Sequence, residues 1–301
     1  KHYSEMEFVT GANTNLNYHK AGEPCVHKND LYAWKEFFKA KKVDVIIHNA
    51  ATVGTDVVAL DPKNSTLTNV QGTYNIARAA KHCGIPVCYI GTTVIYDTKK
   101  YQKAKIKEAS QTSPHTLYGC HKLCGEDIIK SQTKKWMIIR PLFAYGGVGD
   151  MNSLIAKSIY GALNEKKNID MFLDPTKIKD YMHVNDFCDA VLLAIYRNMW
   201  GQDWNIAAET PLMTGEIVKI IEAVTRHNLE NVIKWHPMTD YLGNHMLTSK
   251  KFRLQSGWAP KISMELGIQM SFDSILKSQG YNPLKYLEAA RKRKVDLTEF
   301  Y

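Results

Sequence analysis

The chain has 301 residues and a mass of 34.2 kDa, with 45% hydrophobic and 23% charged residues. That balance suits one large or two-lobed fold and excludes a mini-protein or a disordered chain. No apolar run reaches the roughly 18 residues that cross a bilayer, and Lys1 to Phe8 is too charged for a signal-peptide core, so a soluble cytoplasmic protein with no membrane partner is expected. Lys and Arg number 39 against 30 Asp and Glu, a net charge of +9 that favours anionic partners such as phosphates.

The cysteines, at positions 25, 83, 88, 120, 124 and 188, contain no Cys-x-x-Cys pair and suggest neither a disulfide framework nor a zinc ribbon. The basic cluster Arg291 to Lys294 has no interleaved aromatics and reads as a solvated helix end, not a nucleic-acid surface.

In chain order, Phe8–Thr10 reads as a strand, Leu31–Ala40 as a helix and Val43–His48 as a second strand. Helical spacing follows over Ser65–Cys83, a strand over Pro86–Ile90, a helix over Tyr118–Ser131 and a strand over Trp136–Ile139. Compact apolar strands alternating with helices are the pattern of an α/β, doubly wound parallel sheet. After Tyr145 to Gly149 the character changes, with helices expected over Ser153–Leu163, Asn185–Asn198 and Thr214–His227. Residues 1–150 are therefore expected to form the doubly wound, Rossmann-type domain, with some return of chain from 180–205. Residues 151–301 would form a smaller substrate lobe closing over the carboxyl ends of the strands.

Tyr118 and Lys122 stand four apart at the start of a helix, so they share a face. A phenol with a pKa near ~10 transfers protons poorly at neutral pH, but a neighbouring ammonium stabilises its phenolate. Other segments keep them company. Asp44-Val-Ile-Ile-His-Asn-Ala-Ala51 ends a strand in small residues, and Asn69-Val-Gln-Gly-Thr-Tyr-Asn75 sits early in a helix. Tyr89-Ile-Gly-Thr-Thr-Val-Ile-Tyr96 brings hydroxyls out of a strand end, and Arg140-Pro-Leu-Phe-Ala-Tyr-Gly146 and Lys179-Asp-Tyr-Met-His-Val-Asn-Asp186 follow.

With these motifs in this order, the chain resembles the extended short-chain dehydrogenase/reductase family, in its nucleotide-sugar epimerase, dehydratase and reductase branch. The resemblance runs from about Phe8 to Trp258, where Gly257-Trp-Ala-Pro260 looks like the family's closing motif. It implies Tyr118 as acid/base, Lys122 holding the nicotinamide ribose and depressing the tyrosine pKa, and Thr92 bonding the reacting oxygen. Asn69 would support the active-site helix and its proton relay. Gly11, Asn13, Asp30, Ala50 and Ala51 would contact the cofactor together with Lys122. Thr93, Phe143 and Lys179 would meet the substrate. Asp180 and His183 match the family's Arg-Asp-Tyr-x-His-Val motif, with Lys179 keeping a cation but losing the guanidinium fork. The family's usual dimer would here use Ser65–Cys83 and Tyr118–Ser131.

The sequence also departs from the pattern. Of the family's Thr-Gly-x-x-Gly-x-x-Gly turn, Thr10-Gly-Ala-Asn-Thr-Asn-Leu-Asn17 keeps Gly11 alone, with Thr14 and Asn17 at the later glycine positions. Twelve residues lie between Thr10 and Glu23, close to the minimum for a parallel crossover. Either a deletion has weakened cofactor binding or residues are missing from the determined sequence, and the intact later motifs favour the second. In His27-Lys-Asn-Asp30, Asp30 suits the adenine while Lys28 could meet a 2′-phosphate, so the cofactor is NAD or NADP, with a lean to NADP.

The dehydratase triplet Thr-Asp-Glu is replaced by Thr92-Thr93-Val94, so dehydration is not expected. Gly-Thr-Thr-Val-Ile-Tyr is similar to the GDP-fucose synthase type, but Val94 and Val148 replace the Cys and His of its double epimerisation. Hydride transfer at a carbinol or ketone carbon remains, as a 4-epimerase or a 4-keto reductase.

Phe143 and the lack of an arginine near Tyr241 to Asn244 leave a non-sugar carbonyl substrate open. A non-catalytic NAD(P)-binding sensor or scaffold is the rival class. Cys120, His121 and Cys124 read as packing, not as a metal site, because His121 lies about 100° away on the helix. His48, at the end of a buried strand, reads as a packed, hydrogen-bonded histidine.

Overall fold

A computed structural model describes residues 31–101, 104–147, 153–164, 168–236, 244 and 246–283. Helix α1 (Leu31–Ala40) precedes strand β1 (Ile46–His48), and α2 (Thr55–Leu60) and α3 (Pro62–Thr66) follow. A π-helical turn, Leu67–Gln71, joins α3 to α4 (Gly72–Cys83), so the chain is helical from Pro62 to Cys83. Next come β2 (Val87–Ile90), a 3-10 turn (Thr93–Ile95), α5 (Leu117–Gln132), β3 (Trp136–Pro141) and β4 (Phe143–Tyr145). Beyond lie α6 (Leu154–Leu163), β5 (Ile169–Met171), β6 (Ile178–Lys179), β7 (Tyr181–His183), α7 (Val184–Tyr196) and β8 (Gln202–Ile206). The described chain closes with β9 (Leu212–Met213), α8 (Thr214–Thr225), β10 (Ile233–Trp235), α9 (Lys250–Ser256) and α10 (Met264–Ser278).

Among the described residues the main sheet runs β1-β2-β3-β8, every pair parallel. Val87 stands opposite Ile46 on one side and Trp136 on the other. All four residues of β2 are buried, because helices cover both faces of the sheet. Val87, Tyr89 and Ile138 pack with Trp34 and Phe38 of α1, Ile76 and Ala80 of α4, and Ile129 of α5. The alternate residues Cys88, Ile90, Met137 and Ile139 pack with Ala190, Val191 and Ala194 of α7, Trp204 of β8 and Phe252 of α9. Alternation along each strand thus feeds two separate cores, which makes this a Rossmann-type, doubly wound sheet.

A further core gathers Ile155 and Ile159 of α6, Ile217 and Ile221 of α8, and Ile268 and Phe272 of α10 beside the parallel pair β5 and β10. Helix α7 follows this part's β7 but returns to the sheet, and β8 extends the sheet beside β3.

Some boundaries differ from the sequence reading. The helix expected from Ser65 starts at Pro62, where the Asp61 carboxylate accepts from the Asn64 amide and proline takes the first turn. The expected strand Val43–His48 is ordered as a strand over its last three residues alone. Asn69 does not sit early in a helix; it lies within the π turn, between two α-helical segments.

Candidate active site

The carboxyl end of β2 runs into Thr92, which is extended (φ −161, ψ 155) and caps the 3-10 turn by accepting from the Val94 amide at 3.4 Å. Helix α5 begins nearby, its Thr116 hydroxyl accepting from the Gly119 amide at 3.1 Å. A β-carbon on Gly119 would collide with Pro114 and the Val94 carbonyl, so glycine lets the helix start lie against the end of β2. The Thr92 side chain stands beside the Tyr118 hydroxyl as a result and works to lower the phenol's pKa.

Lys122, one turn further along α5, is 3% exposed. Its amine donates to the Ile90 carbonyl at 2.5 Å and lies 4.2 Å from the centre of the Tyr89 ring. Burial lowers its pKa to about 8, with the Glu126 carboxylate working in the opposite direction. The expected depression of Tyr118 is not found. Burial pushes that phenol up to about 12, opposed by the Thr92 side chain, because the lysine amine is directed to Ile90 and Tyr89.

Asn69 uses both ends of its carboxamide on one residue: Oδ1 accepts from the Thr52 amide at 2.7 Å and Nδ2 donates to the Thr52 carbonyl at 2.9 Å. This braces the segment after β1, in which Ala50 is exposed and Ala51 half-buried. The Thr73 hydroxyl donates to the Asn69 carbonyl at 2.6 Å and lies 3.0 Å from Nε2 of His48. His48 is buried, and burial, with Lys122 adding to it, lowers its pKa to about 3, so it is neutral. It is a packed, hydrogen-bonded histidine.

The residues expected to meet substrate fall into two places. Thr93 is buried in the 3-10 turn beside Thr92. Phe143 on β4 and Lys179 on β6 come together, the amine 5.4 Å from the ring centre, and Phe143 also packs on Tyr181 at 5.4 Å. Next to Lys179, the Asp180 carboxylate accepts from the amides of Glu209 (3.0 Å) and Thr210 (3.2 Å), and burial raises its pKa to about 6. The His183 ring caps α7 by accepting from the Asn185 amide at 3.2 Å. Gly11, Asn13, Lys28, Asp30 and Val148 lie outside the described residues.

Cys120 and Cys124 face outward while His121 is buried and lies 3.0 Å from the Thr66 hydroxyl, so this trio diverges.

Sequence reasoning missed a buried ionic network one turn past Lys122. Arg140, at the end of β3, donates from Nε and Nη2 to the two oxygens of Glu126 at 2.9 and 2.6 Å. The same guanidinium reaches Asp203 at 2.9 Å and the Tyr96 hydroxyl at 2.8 Å, and Tyr96 in turn donates to Asn205 at 2.8 Å. Lys130 closes the group on Asp203 at 2.9 Å. The available signal was an arginine ending a buried apolar strand, since such a charge must find a partner inside.

The model of the NAD dependent epimerase/dehydratase family matches residues 8–207. Among curated proteins, dTDP-D-glucose 4,6-dehydratase of Mus musculus is 22% identical over 256 residues, which cover 81% of this chain and 71% of that one. Solved structures share the fold. UDP-glucose 4-epimerase of Thermotoga maritima, with UDP-glucose, aligns at a TM-score of 0.77 and 20% identity over 89% of this chain and 91% of that one. RMD from Pseudomonas aeruginosa, complexed with NADPH, aligns at 0.76 and 16% identity over 87% and 93%.

Proposed function

This chain belongs to the NAD dependent epimerase/dehydratase family, and within it we propose a nucleotide-sugar 4-epimerase or 4-keto reductase that moves hydride at a sugar carbinol or ketone carbon. The observation that carries this reading is the meeting of Thr92 and Tyr118 at the carboxyl end of a parallel strand, with the buried Lys122 amine one helical turn away.

A dinucleotide suits the residues present. The small Ala50 and Ala51 follow β1, where ligands sit in an open parallel sheet, and Tyr118 and Lys122 offer a hydroxyl and an amine with hydrogens to give. Gly11, Asn13 and Asp30 are assigned to the same cofactor by resemblance, and Lys28 inclines the choice to NADP. When bound, NAD(P) accepts or returns a hydride.

Tyr118 gives or takes the proton at the oxygen of the reacting carbon. With its pKa pushed up to about 12 it stands protonated at neutral pH, ready as the acid of ketone reduction. Thr92 orients the phenol and bonds the same oxygen. Lys122 holds ribose hydroxyls, and approach of its charged amine is what would favour the phenolate in the reverse direction. Asn69 fixes the Ala50 to Thr52 segment against the helix. Phe143, Thr93 and Lys179 take the substrate, the lysine supplying a cation for phosphate.

Dehydration is not expected, since Thr93 and Val94 supply no carboxyl group for eliminating water. A homodimer through α4 and α5, in the cytoplasm, completes the reading.

Mass spectrometry of the co-purifying cofactor, followed by a panel of UDP-, GDP- and dTDP-sugars, tests it. Epimerised or reduced product from one panel member is expected. Tight cofactor binding with no turnover on any of them would instead support the sensor or scaffold role.

A further inference from the structure

The buried side of the site holds a tyrosine to which the reaction assigns no step. Tyr89, on β2, is 1% exposed. Its ring face lies 4.2 Å from the Lys122 amine, its hydroxyl stands beside Thr73, and its ring packs on the neutral His48 at 5.4 Å between centres. A β-carbon on Gly125 of α5 would overlap the Tyr89 hydroxyl. Glycine is a poorer helix former than alanine, so that gap is a specific accommodation of this ring.

We propose that Tyr89 is a positioning residue: its ring, packed on His48 and fitted to the space at Gly125, seats the Lys122 ammonium against the Ile90 carbonyl at the edge of the reaction site. A cation over an aromatic face away from water is held by the ring's quadrupole, and burial keeps the Tyr89 phenol neutral, well above its ordinary pKa. Among the described residues, the titratable groups around the pair are Tyr118, Cys124 and Glu126 on α5 and His48 on β1. His48 is neutral, Tyr118 is protonated, the Cys124 thiol is pushed up by burial, and Glu126 is committed to Arg140. Among the described residues, the ring and the Ile90 carbonyl are in direct contact with the amine.

The inference rests on reading Tyr118 and Lys122 as the reacting pair, but its test does not need turnover. In protein made with 13C-lysine, NMR titration reads the Lys122 amine, identified by its loss in Lys122→Met. Tyr89→Leu is expected to lower the Lys122 midpoint by about one pH unit, while Tyr89→Phe keeps it. Pentafluorophenylalanine at position 89 keeps the shape but reverses the quadrupole, and it should reproduce the leucine shift even if the leucine variant fails to fold.

The alkaline limb of kcat/KM should move down with the same midpoint, whereas lost packing alone would lower the rate without moving it. Unchanged midpoints in the leucine and fluorinated variants, or equal shifts in Tyr89→Phe and Tyr89→Leu, would overturn the proposal. Absence of turnover on every nucleotide sugar would sink the functional reading and leave the NMR result to decide Tyr89 alone.

Discussion

Two buried polar regions lie one helical turn apart on α5, and they solve the same problem in opposite ways. Around Glu126 and Arg140 each charge meets another at hydrogen-bond distance, two-pronged, with Asp203 and Lys130 extending the group. Around Lys122 and His48 there is no such matching among the described residues. The histidine has shed its charge, the lysine is brought down to about 8, and Tyr118 holds its proton up to about 12. Paired charge holds the architecture together. Desolvated groups with shifted pKa values cluster at functional sites, which is the ground for reading this region as the reacting one.

The sharpest test of the contrast is Tyr118→Phe. Turnover should fall by about 100- to 10,000-fold while the melting temperature stays near wild type, because a single acid/base group is removed and little packing is lost. Loss of fold together with activity would erase the distinction between the two regions.

Arg140→Met attacks the paired side. It leaves Glu126 without its two-pronged partner and Asp203 with Lys130 alone, and urea unfolding should show a loss of about 3–5 kcal/mol. A change within 1 kcal/mol would mean that the network contributes little.

A smaller effect is expected at Asp180, whose pKa is raised from 3.8 to about 6, so the folded state binds the proton more tightly than the unfolded chain. Stability from this group is therefore present below about pH 4 and lost as pH rises through 6, roughly 2–3 kcal/mol in all. Wild-type stability measured from pH 4 to 7 should carry that decline, and Asp180→Asn should lack it.

Smallest is Thr116→Ala, which removes the cap of α5 and should cost about 1 kcal/mol in thermal unfolding. It should also raise KM more than the same change at Thr133, whose hydroxyl bonds back to Ile129 at the far end of the helix.

The apolar strands were legible because burial on both faces leaves an uninterrupted run of Val, Ile, Met or Cys, as in β2 and β3. Leu31–Ala40 was legible to the residue, since Trp34 and Phe38 mark one helical face. Strand β8 was harder: Gln202, Asp203 and Asn205 look like a loop, yet Asp203 takes Arg140 and Asn205 takes Tyr96.

At the site, helical spacing alone places Tyr118 and Lys122 on one face. Where the lysine points depends on the Ile90 carbonyl and the Tyr89 ring, more than 30 positions earlier, and local spacing holds no record of that. The π turn was equally hidden, because its surplus residue shifts the apolar spacing by one position within a single turn.

That turn has a consequence for how this helix can change over generations. It carries a surplus residue within a continuous helical rod, so losing one position between Leu67 and Gln71 would let the rod close as ordinary α-helix. Because the turn itself takes up that residue, Ile76, Ala77 and Ala80 would stay on the sheet, while Asn69, inside the turn, would release Thr52. Homologues that lack the surplus residue should therefore keep the apolar face of Gly72–Cys83 and vary at Asn69, a pattern that comparing their sequences would reveal without a single assay.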